Sequence, residues 1–87
     1  GPLHAITMAV DPQDELLVVG TRRGKVLGIQ ISDGTIRFEH QLIERVVKAV
    51  AFRADGSSFF TAMDLADGRQ SIQEWHASKG QLIQTLL

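Results

Sequence analysis

The stretch VKAVAFRADGSSFFTAMD (Val47 to Asp64), with IQEWHASKGQLIQTL (Ile72 to Leu86) after it, decides the fold class of this 87-residue chain. From Val46 to Phe52 large apolar residues alternate with small or polar ones, the period of a strand with one covered face. Ala54-Asp55-Gly56 supplies a tight turn, because glycine accepts a positive φ and aspartate bonds to nearby backbone N–H groups. Phe59-Phe60 then restarts an apolar run, Trp75 closes a third stretch, and Ser78-Lys79-Gly80 turns the chain once more.

Upstream, the signals recur. Asp11-Pro12-Gln13-Asp14, Arg22-Arg23-Gly24, Ser32-Asp33-Gly34 and Asp67-Gly68 punctuate the chain, and the stretches between them have strand length rather than helix length. Ile6 to Val10 alternates, whereas Leu16 to Val19 is continuous and apolar, as expected of a strand covered on both faces. Glu39 to Val50 fits a short helix carrying Leu42, Val46 and Val50 on one side, but strand, connection, strand is preferred there.

An internal repeat organises these elements. Ile6 to Asp14 lies above Lys48 to Gly56, Leu17-Val18 above Phe59-Phe60, Val26 to Gln30 above Ile72 to His76, and Ser32 to Ile36 above Ser78 to Leu82. The register shift between the halves is assigned to a longer loop, Asp64 to Gln70. The unit of roughly 42 to 46 residues and four strands has the size of a propeller blade.

On these residues the chain resembles the WD-repeat β-propeller family. The second copy has the inner strand ending at Phe52, the Asp55-Gly56 turn, a small-residue second strand and a third strand closing on Trp75; the first copy, DPQDELLVVGTRRGKVLGIQISDGTIRF, keeps that order. The signature Trp-Asp pair reads Trp75-His76 in one copy and Ile29-Gln30 in the other, His4 stands near the place of the upstream Gly-His pair, and the family's buried His-Ser-Asp-Trp relay is not carried over. The resemblance implies an all-β fold of two four-stranded antiparallel blades, residues 4–43 and 46–87. Residues 1–3, beginning Gly1-Pro2, look like the remnant of a cleaved tag.

Composition narrows the function. A net charge of −1 gives no global pull toward nucleic acid or anionic membrane, and there is no cysteine for a disulfide, a metal thiolate or a nucleophile. No apolar run approaches the roughly 20 residues of a membrane span, so no membrane partner is expected. Gly20-Thr21-Arg22-Arg23-Gly24-Lys25 looks like a phosphate loop, but it is one residue short and Val26 stands where a hydroxyl should hold magnesium; it reads as a hairpin tip with solvated arginines. His4, His40 and His76 are too dispersed for a zinc site, and no strained Gly-x-Ser-x-Gly elbow is present. Neither catalytic, cofactor nor metal residues are expected, and the chain reads as a non-enzyme without cofactors.

In the family resembled, the connection between second and third strands and the start of the inner strand line one rim, the usual partner face. That resemblance nominates His4, Arg22, Arg23, Arg45, Lys48, Asp64, Asp67 and Arg69 as a contact surface for other proteins, and Phe52 and Trp75 as blade-packing residues. Single blades do not cover their own faces. Leaving several hundred Å² of apolar area wet on each of two outer faces forgoes on the order of ten kcal/mol, comparable to a domain's whole stability. The expected function is therefore a protein-interaction scaffold that closes a ring by homo-oligomerisation. The alternative is a fragment of a larger propeller whose basic rim binds RNA or a ribonucleoprotein. The cytoplasm is the expected location, with the nucleus as the alternative.

Overall fold

The computed structural model describes residues 5–42 and 45–86, which form eight strands and no helix. They are β1 (Ala5–Val10), β2 (Leu16–Thr21), β3 (Lys25–Gln30), β4 (Ile36–Gln41), β5 (Arg45–Phe52), β6 (Ser58–Leu65), β7 (Gln70–His76) and β8 (Leu82–Thr85). Each consecutive group of four makes one antiparallel sheet in sequence order, β1-β2-β3-β4 and β5-β6-β7-β8. Among the described residues of the stretch Glu39 to Val50, β4 runs to Gln41 and β5 starts at Arg45, and the Leu42 N–H donates to the Gly24 carbonyl at 2.8 Å; residues 43 and 44 lie outside the described residues.

The two sheets repeat one backbone design down to its irregularities. Bulges leave Ile6 and Lys48 unpaired in the inner strands and Arg37 and Ile83 unpaired in the outer ones, each pair at matching positions. Asp11 N–H donates to the Leu16 carbonyl at 3.0 Å as Arg53 does to Ser58 at 3.0 Å, and Gln30 to Thr35 at 2.8 Å as His76 does to Gln81 at 2.8 Å. Aspartates cap several turns: Asp33 Oδ1 accepts the Thr35 N–H at 3.0 Å, Asp55 Oδ1 that of Ser57 at 2.9 Å, and Asp67 Oδ1 that of Arg69 at 3.0 Å.

The extra residues of the second copy are not a loop. Asp64 and Leu65 belong to β6 and Gln70 to β7, and Leu65 to Arg69 turns as tightly as Thr21 to Lys25, with Gly68 donating to the Leu65 carbonyl at 3.0 Å. The hairpin arms are simply longer in the second sheet.

The core lies between the sheets. Leu16, Val18, Val26 and Phe38 from the first meet Val47, Val50, Phe59, Met63, Trp75 and Ala77 from the second, with Ala9 and Phe52 at the margin. Cross-strand register fixes which side chains share a face. The first sheet turns Ala9, Val18, Gly28 and Phe38 inward and Met8, Val19, Leu27 and Glu39 outward. The second turns Phe52, Phe59 and Trp75 inward, and Ala51, Phe60, Glu74 and Gln84 outward. On the outward face Val19 and Leu27 are buried and Leu17 is half-buried, so the continuous run Leu16 to Val19 is largely covered on both sides, and Phe60 is half-buried at the equivalent outward place of the second sheet.

Candidate rim and blade interface

Strand order brings Arg22, Arg23, Arg45, Lys48, Asp64, Asp67 and Arg69 to one end of the sheets, since the ends of β2, β4 and β6 and the starts of β3, β5 and β7 lie there. Arg22 and Arg23 are exposed on the β2–β3 turn. Gly24, at φ 81°, passes so close to the inter-sheet connection that a Cβ on it would stand 2.1 Å from the Leu42 carbonyl oxygen and 2.9 Å from that of Arg45. Gln41 Nε2 donates to the Arg23 carbonyl at 2.7 Å. These contacts bring Arg22, Arg23 and Arg45 together.

The rest of the set is paired off within the second sheet. Lys48, the bulge residue, reaches Asp64 at 3.5 Å, and Arg69 Nε donates to Asp67 Oδ2 at 2.7 Å. The Arg69 backbone N–H, then its side chain, hold the Asp67 carboxyl below its ordinary value of 3.8. A neighbouring cation, Lys25, meets Glu39 at 3.2 Å. Among the described residues no acid pairs with Arg22, Arg23 or Arg45. His4 lies outside the described residues.

Trp75 is buried, 4% exposed, and its indole N–H donates to Thr61 Oγ1 at 2.9 Å. It packs against the preceding blade rather than a following one: the His40 ring of β4 lies 5.0 Å away. Phe52 is half-buried against Phe59, with ring centroids 5.7 Å apart.

Sequence reasoning did not single out the group that joins the blades. Phe38 stacks on Phe59 at 5.7 Å and 5°. Two glycines make room for its ring, for a Cβ on Gly28 would come 2.3 Å from it and one on Gly80 2.4 Å. His40 Nε2 is hydrogen-bonded to the Gly80 carbonyl. A Cβ on Gly20 of β2 would stand 2.3 Å from Val47 of β5, so the second strand of the first sheet and the inner strand of the second approach as closely as glycine permits. The available signal was the alternation of Phe38 and His40 on one face of a strand, with glycines at positions 28 and 80.

A second polar group occupies the bare face of the second sheet. Glu74 is buried, and its carboxylate accepts from Ser58 Oγ at 2.6 Å, Gln84 Nε2 at 2.7 Å and Arg53 at 3.2 Å. The Ser58 hydroxyl first, then Gln84 and Arg53, keep that carboxyl below its ordinary value of 4.5. The described residues contain no cluster of three acids or histidines able to hold a metal.

Two stacked four-stranded antiparallel sheets with adjacent inner strands and radially ordered outer ones are two blades of a β-propeller. In fold they are similar to solved WD40-repeat structures. The structure called "Structure of U3-55K" superposes with a TM-score of 0.85 over 99% of this chain and 27% of its own, at 16% identity. "Crystal structure of RRP9 WD40 repeats" does so with a TM-score of 0.85 over 99% of this chain and 26% of its own, also at 16% identity. The chain thus spans about a quarter of the solved chains it matches, and at that identity the likeness is one of fold. No family model and no curated protein matches the sequence.

Proposed function

We propose that this chain is a non-catalytic protein-interaction scaffold, a two-blade WD-repeat unit that closes a ring with further copies of itself and offers its β2–β3 rim to other proteins. The observation that carries this reading is the pair of bare sheet faces on opposite sides of a well-packed inter-blade core. Met8 and Ile36 on the outer face of the first blade are 59% and 58% exposed, with Val10 and Ile6 beside them. Exposed apolar patches of this kind mark interaction surfaces. Three or four chains would make six or eight blades, within the usual range of about four to eight. Light scattering at micromolar concentration tests this: a trimer or tetramer is expected, and a folded, cooperative monomer refutes ring closure.

A second reading, RNA or ribonucleoprotein binding through the rim, draws support from Arg22, Arg23 and Arg45, with which no acid pairs among the described residues. The ion pairs on Lys25, Lys48 and Arg69 weigh against it, because a cation already matched to an acid adds little net attraction for phosphate. Binding of a single-stranded RNA that weakens steeply between 50 and 200 mM salt would favour it, on the scale of several phosphates neutralised.

A further inference from the structure

The interface inside the chain shows which surfaces its bare faces fit. The repeat equates the outward face of the first blade with the inward face of the second. Val10 stands for Phe52, Leu17 for Phe59, Ile29 for Trp75 and Gly34 for Gly80. Within the chain, that face of the second blade receives Phe38 and His40 over Gly80. At the equivalent place on the first blade, nothing lies within 4 Å of where a Cβ on Gly34 would be. The seat is repeated and open.

The same mapping equates the outward face of the second blade with the inward face of the first. Ala51 stands for Ala9, Phe60 for Val18, Ile72 for Val26, Gln84 for Phe38 and Leu86 for His40. We propose that the bare face of the first blade binds the bare face of the second blade of another copy, with Gln84 and Leu86 of that copy lying over Gly34 as Phe38 and His40 lie over Gly80. This rests on the self-association reading above and adds its polarity: every contact is head to tail.

Chemistry supports that pairing over two like faces meeting. Two first-blade faces would bury Met8, Val10 and Ile36 against themselves, leaving Phe60, Ile72 and Leu86 wet and ending at a dimer. Covering the second blade's face leaves no orphan charge, since Glu74 already has Ser58, Gln84 and Arg53 as donors. A heterologous contact repeated by rotation closes a ring.

Two charge-bearing variants at exposed positions test the pairing: Met8→Glu with Ile36→Glu blocks the first-blade face, and Ala51→Glu with Leu86→Glu blocks the second-blade face. Expected by light scattering at tens of micromolar are a ring for the unmodified chain, monomers for each variant alone and a one-to-one dimer on mixing, with circular dichroism reporting folding throughout. In a second arm, Glu74→Gly with Gln84→Phe copies the Gly28–Phe38 pair onto the outer face and is expected to lower the concentration needed for assembly about tenfold, the scale of laying one more apolar ring against Leu17 of the other copy. If the unmodified chain assembles while the second-face variant alone still dimerises, the mixture gives no dimer, or the aromatic copy weakens assembly, the head-to-tail pairing is wrong and self-association stands. A folded monomer of the unmodified chain overturns both.

Discussion

Replacing Phe38 by alanine is the sharpest probe of how the two blades hold together. The ring is buried, stacked on Phe59, and lies over Gly28 and Gly80, which have no side chains to move into the space it vacates. Phenylalanine-to-alanine changes in cores cost about 3–5 kcal/mol, more where the site cannot collapse. A ring between two glycines is such a site, so about 4 kcal/mol is expected, including the stacking contribution of about 1 kcal/mol. Gly28→Ala alone should cost about 1–3 kcal/mol, because its methyl would sit 2.3 Å from the ring. With Phe38→Ala already present the same methyl enters the vacated space, so the two losses should fall short of their sum by about 1–3 kcal/mol. Urea denaturation at fixed protein concentration, read by Trp75, measures all four corners of the cycle, since Trp75 is the one tryptophan in the sequence and stacks with Phe59 beneath Phe38. Additivity within about 0.5 kcal/mol would refute the seating of Phe38 over Gly28.

Trp75→Ala should cost about 3–5 kcal/mol, and Thr61→Val about 1–3 kcal/mol by orphaning the buried indole N–H, both by denaturation; a Trp75→Ala loss below about 1 kcal/mol would mean that the indole is exposed. Arg22→Ala with Arg23→Ala should change stability by no more than about 0.5 kcal/mol, so unfolding of this variant would show the two arginines to be structural. The carboxyls of Asp33, Asp55 and Asp67, each lowered chiefly by a backbone N–H, and of Glu74, lowered chiefly by the Ser58 hydroxyl, are more acidic in the fold. Their stabilisation is complete above the unfolded values of about 4 and fades as pH falls through the depressed ones. Thermal melts should therefore hold level from about pH 7 to 5 and fall below about pH 4; stability that rises on acidification contradicts the assignment.

The strands, their turns and the repeat were legible because each rests on local chemistry. Gly34, Gly56, Gly68 and Gly80 all have φ between 67° and 87°, where glycine is favoured, and they mark the turns the sequence suggested. The register shift was misplaced for a physical reason. Lengthening both arms of a hairpin by two residues leaves side-chain alternation intact, so the faces of β6 and β7 read the same as in a longer loop between shorter strands. The described residues of the nominated rim set lie at one end of the sheets, but the sequence did not reveal that Lys48 and Arg69 are paired with Asp64 and Asp67. Phe38 escaped notice because its importance comes from two glycines, one of them 42 positions away, whose missing side chains are visible only once the sheets stack.

The two equivalent blade faces have unequal chemistry. Gly28 and Glu74 occupy the same place in the third strand, and Phe38 and Gln84 the same place in the fourth. Where the first blade has glycine, an aromatic ring lies flat across the strand and grips its neighbour; where the second has glutamate, the carboxylate draws Ser58, Gln84 and Arg53 into a network within its own blade. A polar group satisfied within its own chain tolerates covering but adds little attraction to whatever covers it. On the self-association proposed above, the contact inside the chain is therefore stronger than the one offered outward, where Phe60, Ala51, Ile72 and Leu86 would supply most of the adhesion. The pair of blades would then stay together at dilutions where the outer contacts part.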